Sequence, residues 1–220
     1  MITSGFNSYQ FALRGQPLPE VDEATAVCYL IGANGVLARS RRPGLEVGLP
    51  VGVHFQQLRG LEPVTPYVKW GLPRVPMQLV ELMLTVSRAC ASPEPTEALF
   101  YLNHGEPQTS DAIISEGGWN LEAPPQRASR EWVEPEETGA GSSTERALIE
   151  VHSHHHMRAE FSPGDDTDEL GWFRVYGVIG NIFERPEMRV RVSLFGHGCE
   201  WPASEFFELP AELNDCLKGN

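Results

Sequence analysis

The apolar positions of this chain fall into short runs separated by turn-forming residues, which predicts many strands and few helices. Ala24 to Ile31 (ATAVCYLI) is a short apolar run. Gly32-Ala33-Asn34-Gly35 supplies turn residues and Val36 to Arg39 resumes the run, so a hairpin is expected. Gly and Pro crowd Arg41 to Pro50, which predicts a loop. Four prolines between Leu61 and Pro76 predict an irregular or extended stretch.

The clearest helical period is Met77, Val80, Met83, Leu84, Val86 and Ala89. Pro76 suits the first helical position, and Pro93 and Pro95 end the run, so a helix is predicted over Pro76–Ser92. Glu97 to Leu102 (EALFYL) reads as a buried strand, with Ala112–Ile114 and Trp119–Leu121 as further strands. The segment 134–145 is polar, acidic and rich in Gly and Ser, which predicts a mobile surface loop. Leu148 to Val151 is a short apolar strand that runs into His152–His156 (HSHHH). Phe173–Ile182 reads as a strand, Arg185-Pro186-Glu187 as a turn, and Met188–Phe195 alternates apolar and basic residues as a half-exposed strand does. A short helix is expected around Ser204–Glu208. Strands and helix interleave, so the expected class is mixed α/β or α+β.

Composition narrows the function. The chain has 220 residues, 41% of them hydrophobic, which is enough to fill a core without disulfide staples. Seventeen basic against thirty acidic residues give a net charge of −13, a poor match to a phosphate backbone, so no direct nucleic-acid partner is expected. No apolar run reaches membrane-span length, and the N-terminus lacks a basic start followed by an apolar stretch. A cytoplasmic location and no membrane partner are therefore expected. The cysteines, Cys28, Cys90, Cys199 and Cys216, form no C-x-x-C pair and read as reduced thiols.

The candidate chemistry lies between His152 and Asp165. Two histidines at i and i+2 at the end of a strand point to one side and can reach one ion. Asp165 follows eleven residues after His154. Two imidazoles and a carboxylate suit a catalytic zinc, one ion per chain, with a fourth position left for water. Asp166 is an alternative third ligand on spacing alone, while His155 and His156 read as surface or lip residues. Ser162, three residues before Asp165, is a candidate oxyanion donor and equally a helix N-cap. A carboxylate from elsewhere is needed as the base. His104 and His197 read as structural histidines.

The order His152-x-His154, seven residues, Ser162, two residues, Asp165 resembles the H-x-H-x7-S-x2-D signature of the JAMM (MPN-type) zinc metalloproteases. The stretches FSPGDDTDELGWFRVYGVIGNI and RPEMRVRVSLFGHG look like a bacterial branch of that family, protein A of the PRTRC system. The resemblance covers roughly residues 76 to 208, with 1–75 a looser match. It implies a curved mixed β-sheet flanked by helices in a domain over 76–220, with a hairpin-rich N-terminal extension over 1–75. It also implies zinc-dependent hydrolysis of a peptide or isopeptide bond next to a ubiquitin-like protein, with a ThiF-like activating protein as a further partner. His152, His154 and Asp165 would hold the zinc and Ser162 would donate to the oxyanion. The family's glutamate base follows a helix and opens a strand, a place that Glu97 fits, with Glu94 second and Glu150 third. Two positions depart from the pattern: His155 stands where the family has Pro, and Phe100 where E-x-x-G has Gly. Two other readings remain beside this one. One is a non-catalytic MPN-type scaffold in a plasmid or mobile-element complex. The other is a zinc amidase acting on a small molecule or a sulfur-carrier conjugate.

Overall fold

The computed structural model describes residues 7–21, 25–54, 56–91, 94–106, 113–136, 139 and 141–218. The fold is mixed α/β, mostly strands with few helices. It divides into two compact units. The first comprises Met1–Leu72 with Thr167–Phe173 and Ser193–Cys199, the second Pro73–Asp166 with Arg174–Val192 and Glu200–Asn220.

The first unit is built on a five-stranded sheet in sequence order: β1 (Asn7–Phe11), β2 (Val27–Ile31), β3 (Gly35–Arg42), β4 (Leu45–Val53) and β5 (Tyr67–Trp70). The predicted hairpin is β2–β3, antiparallel with Cys28 opposite Arg39. Ala24 lies outside the described residues. The loop expected over Arg41–Pro50 is corrected: β3 runs on to Arg42, only Pro43 and Gly44 turn, and β4 begins at Leu45. The period-2 set Leu45, Val47 and Leu49 is buried, and that burial prevails over the local Gly/Pro signal. Gly48 belongs to the strand because a Cβ there would come within 2.5 Å of the Tyr67 ring. Within the proline-rich 61–76 stretch only β5 is regular.

In the second unit the predicted helix is α1 (Met77–Cys90), with Pro76 just outside it as the N-cap residue. Leu79, Val80, Met83, Leu84 and Ser87 form its buried face. The expected end at Ser92 and the stop at Pro93 lie outside the described residues. Next come β6 (Leu99–His104), β7 (Ile113–Glu116) and β8 (Trp119–Glu122), with Ala112 also outside the described residues. A small antiparallel hairpin, β9 (Gln126–Ala128) and β10 (Val133–Pro135), follows. The loop expected over 134–145 is in part ordered. β10 reaches Pro135 and a one-turn helix α2 occupies Ser143–Arg146, where the Ser142 hydroxyl accepts from the Glu145 N–H.

The large sheet adds β11 (Ile149–His154), β12 (Phe173–Gly180), β13 (Glu187–Leu194), β14 (His197–Trp201) and the short β15 (Asn214–Asp215). Its order is β14-β13-β12-β11-β6-β8-β7, with β15 on β13. All eight residues of β12 are buried, as expected of a central strand covered on both faces. β11 pairs parallel with β12 and antiparallel with β6. The helix α3 (Pro163–Asp168) follows β11. The helix expected at Ser204–Glu208 is a three-residue 3-10 turn, Ala203–Glu205. No disulfide forms among the four cysteines. No helix among the described residues is long and apolar enough to cross a membrane.

Candidate metal centre

β11 carries both histidines inside the strand, extending past the Val151 end that its apolar run suggests. His152 stands opposite Leu99 of β6 and Val178 of β12, and His154 is level with Gly180. The i, i+2 spacing puts both imidazoles on one side of the sheet, with Nε2 atoms 3.2 Å apart. Asp165, on the first turn of α3, brings Oδ1 to 3.5 Å from His152 Nε2. Ligand atoms of His152, His154 and Asp165 all lie within 4.8 Å of one another, and among the described residues they form a group able to hold a metal ion.

Two of the three candidate ligands are held from behind. The His154 Nδ1 bonds the Arg158 carbonyl at 3.0 Å. A carbonyl only accepts, so Nδ1 carries the proton and Nε2 presents its lone pair to the site. Gly180 makes this possible. A Cβ at that position would meet Ala159 N at 2.1 Å and Arg158 C at 2.4 Å, so only glycine lets the 157–159 segment lie close enough. Asp165 divides its oxygens: Oδ2 accepts from the Ser162 N–H at 2.5 Å while Oδ1 faces His152. Ser162 Oγ in return accepts from the Asp165 N–H at 3.2 Å, which is the N-cap arrangement. Ser162 is exposed, and its own hydroxyl hydrogen remains available to donate.

Glu97 sits two residues before β6. It is 3% exposed, and its Oε1 lies 3.9 Å from His154 Nε2 with no hydrogen-bond partner of its own. Burial pushes its carboxyl up to about 8, and the charges of Asp165 and Glu131 add to the rise. His152 moves the other way. Burial holds its imidazolium well below the usual range, Asp165 opposes this, and His154 and Arg191 reinforce it, so the ring is neutral, as a metal ligand must be. An orphaned buried carboxylate oxygen beside two converging imidazoles fits a divalent cation. Tetrahedral zinc with bonds of roughly 2.0–2.1 Å to nitrogen sets its donors about 3.4 Å apart, close to the spacings found.

The structure separates the alternatives. Glu94 is exposed. Glu150 pairs with Arg174, a side chain 1% exposed, at 2.8 Å. Asp166 pairs with Arg191 at 2.7 Å and lies outside the metal-binding group. His155 is corrected from a surface or lip residue to a buried one, 1% exposed. Its Nε2–H donates to the Arg130 carbonyl and its Nδ1 accepts from the His156 N–H, both at 2.8 Å, so neither nitrogen is available to an ion. His104 packs edge-on against Trp119, and His197 bonds the Tyr29 hydroxyl at 3.0 Å.

Sequence reasoning left three contributors unassigned. Ser153, fully buried between the ligands, accepts from the Ala98 N–H through Oγ while its N–H donates to Ala98 O, both at 3.0 Å. Its place between His152 and His154 was its only signal. Glu131 acts on Glu97 by charge, and Arg158 acts through a backbone carbonyl, which no side-chain motif reports.

Fold and site together define a mixed α/β chain carrying a buried two-histidine, one-carboxylate centre beside a buried glutamate. No protein-family profile and no curated protein matches this chain.

Proposed function

We propose that the chain is a zinc-dependent hydrolase of peptide or isopeptide bonds adjoining a ubiquitin-like protein, a JAMM-type (MPN-type) metallopeptidase acting in the cytoplasm, with a ThiF-like activating protein as its companion. The observation that carries this reading is the convergence of His152 Nε2, His154 Nε2 and Asp165 Oδ1 next to the unpartnered Oε1 of Glu97. A scaffold has no use for such an arrangement, because a buried ionisable group without a partner costs stability.

When bound, zinc supplies a Lewis acid that polarises an amide carbonyl and makes water more acidic. The chain's residues divide the remaining work. His152, His154 and Asp165 hold the ion. Glu97 takes a proton from the attacking water and delivers it to the leaving amine nitrogen. Its low-polarity surroundings raise its proton affinity towards that needed for a group that must both accept and return a proton near neutral pH. Ser162, held by its bonds with Asp165, donates its hydroxyl hydrogen to the oxyanion of the tetrahedral intermediate.

The test is elemental analysis of the purified protein and of a His152→Ala/His154→Ala double variant. The expected result is about one zinc per wild-type chain and none in the variant, followed by cleavage of a ubiquitin-like fusion by the wild type alone. A wild type that takes up no zinc, even when it is supplied and the excess removed, would sink the hydrolase reading and return the scaffold in its place.

A further inference from the structure

The histidine that replaces proline after the second ligand has a geometry of its own. His155 connects the end of β11 to the tip of the β9–β10 hairpin, residues Ser129–Trp132, through its Nε2–H to the Arg130 carbonyl. The same tip receives a second bond from the segment before β6, where the Glu97 N–H donates to Ser129 O at 2.9 Å. The tip is internally braced: the Ser129 N–H donates to Trp132 O, and the Glu131 N–H donates to Ser129 Oγ. Its base is also fixed, because the Gln126 side chain bonds both the N–H and the carbonyl of Leu99. Glu131 and Trp132 remain exposed on this tip.

We propose that His155 is a positioning residue that clamps the β9–β10 hairpin tip beside the centre, tying the end of the strand that carries His152 and His154 to the backbone of Glu97. The clamp follows from two hydrogen bonds that reach one four-residue tip from the residues flanking β11 and β6. With Nδ1 accepting from His156, the imidazole is held as the neutral Nε2–H tautomer, which fixes the direction of its one donor. Without that donor the tip keeps a single bond to the site, through Glu97. The Glu97 N–H then has its acceptor on a tip held to β11 by no bond of its own, although the adjacent Ala98 stays bonded to Ser153. As far as the clamp bears on catalysis, it rests on the hydrolase reading given above. As a structural link it does not.

Nitrogen-15 NMR on the full chain, metal-free and then zinc-loaded, tests it. In the wild type the His155 ring is expected as the Nε2–H tautomer, with that proton slowed in exchange with water. In His155→Ala the Glu97 and Ser129 amides are expected to exchange at least about fivefold faster, the equivalent of one hydrogen bond. Zinc stoichiometry should remain that of the wild type. His155→Gln, which keeps a donor of similar reach, should restore most of the protection. His155→Leu, which fills similar space without a donor, should show no such rescue, whereas a merely space-filling role would be rescued by both. Unchanged amide exchange in the Ala variant, or a wild-type Nε2–H that exchanges as freely as that of an exposed imidazole, overturns the proposal. Should the Ala variant not fold, the wild-type tautomer and the Gln variant decide: slow Glu97 exchange in both supports the clamp, and fast exchange in either rejects it. Failure of the wild type to bind zinc would strike the hydrolase reading and leave the metal-free exchange result standing.

Discussion

The two sheets bury polar groups in different ways. In the N-terminal five-stranded sheet Arg39 is buried with Nε on the Tyr67 hydroxyl and Nη1 on Pro19 O and Gln10 Oε1. Ser40 Oγ donates to Ala26 O, and Asn34 both donates to and accepts from the Val64 backbone. These partners answer the chemistry of each group, which is what a structural role requires. In the large sheet the buried polar groups at the ends of β6 and β11 converge instead. Two imidazoles face each other at 3.2 Å and the Glu97 oxygen has no partner. Charge differs as well: the first 72 residues hold six basic and five acidic side chains, the remaining 148 eleven and twenty-five. The comparison teaches that burial of polar residues alone does not mark a site. Convergence of ionisable side chains on one point, beside a buried carboxylate oxygen without a partner, does.

That contrast can be broken by mutation, and the largest effect should fall at the site. Glu97→Gln should leave zinc stoichiometry unchanged yet lower the turnover of a ubiquitin-like fusion by about 10²–10⁴-fold, the usual contribution of a general base. Steady-state kinetics beside elemental analysis checks this, and undiminished turnover would remove Glu97 from the mechanism. The same sheet also holds a buried ion pair, Arg174 with Glu150, braced by the Thr144 carbonyl. Arg174→Ala breaks it and should cost about 3–5 kcal/mol in denaturant unfolding, whereas Glu150→Gln should leave zinc binding intact.

Gly180→Ala joins the two behaviours. Its Cβ displaces the Arg158–Ala159 backbone, so a loss of about 1–3 kcal/mol should appear together with weaker zinc affinity as His154 loses its support. A stability loss with unaltered affinity would separate the two. Asn34→Ala, in the satisfied sheet, should cost about 1–2 kcal/mol without touching zinc.

The last test concerns pH. In the metal-free protein burial pushes the Glu97 carboxyl up to about 8 from its ordinary 4.5, so the native state holds the extra proton between these values. Stability from this group is present below about 4.5 and is lost as pH rises through about 8. Thermal melts across that window should show the decline, Glu97→Gln should flatten it, and a melt equally pH-dependent in both proteins would assign it elsewhere.

Several features were legible from one-dimensional pattern because their causes are local. The i, i+3, i+4 repeat of α1 reports a single buried face. The β2–β3 hairpin follows from two apolar runs around Gly32–Gly35, and the His152, His154, Asp165 grouping follows from strand alternation plus a capped turn. Tertiary contact decided the rest. Arg41–Pro50 holds strands because Leu45, Val47 and Leu49 gain more from burial than Pro43, Gly44, Gly48 and Pro50 lose locally. His155 is indistinguishable in sequence from His156, yet one is buried and doubly bonded while the other is exposed. Glu94, Glu97 and Glu150 were equal as residue types, and only packing left one exposed, one buried without a partner and one paired with arginine. The sequence by itself determined which donors were at hand and the local spacing that lets His152, His154 and Asp165 meet. The tertiary structure decided which carboxylate joins them, because that depends on desolvation and on partners tens of residues away, which no local pattern encodes.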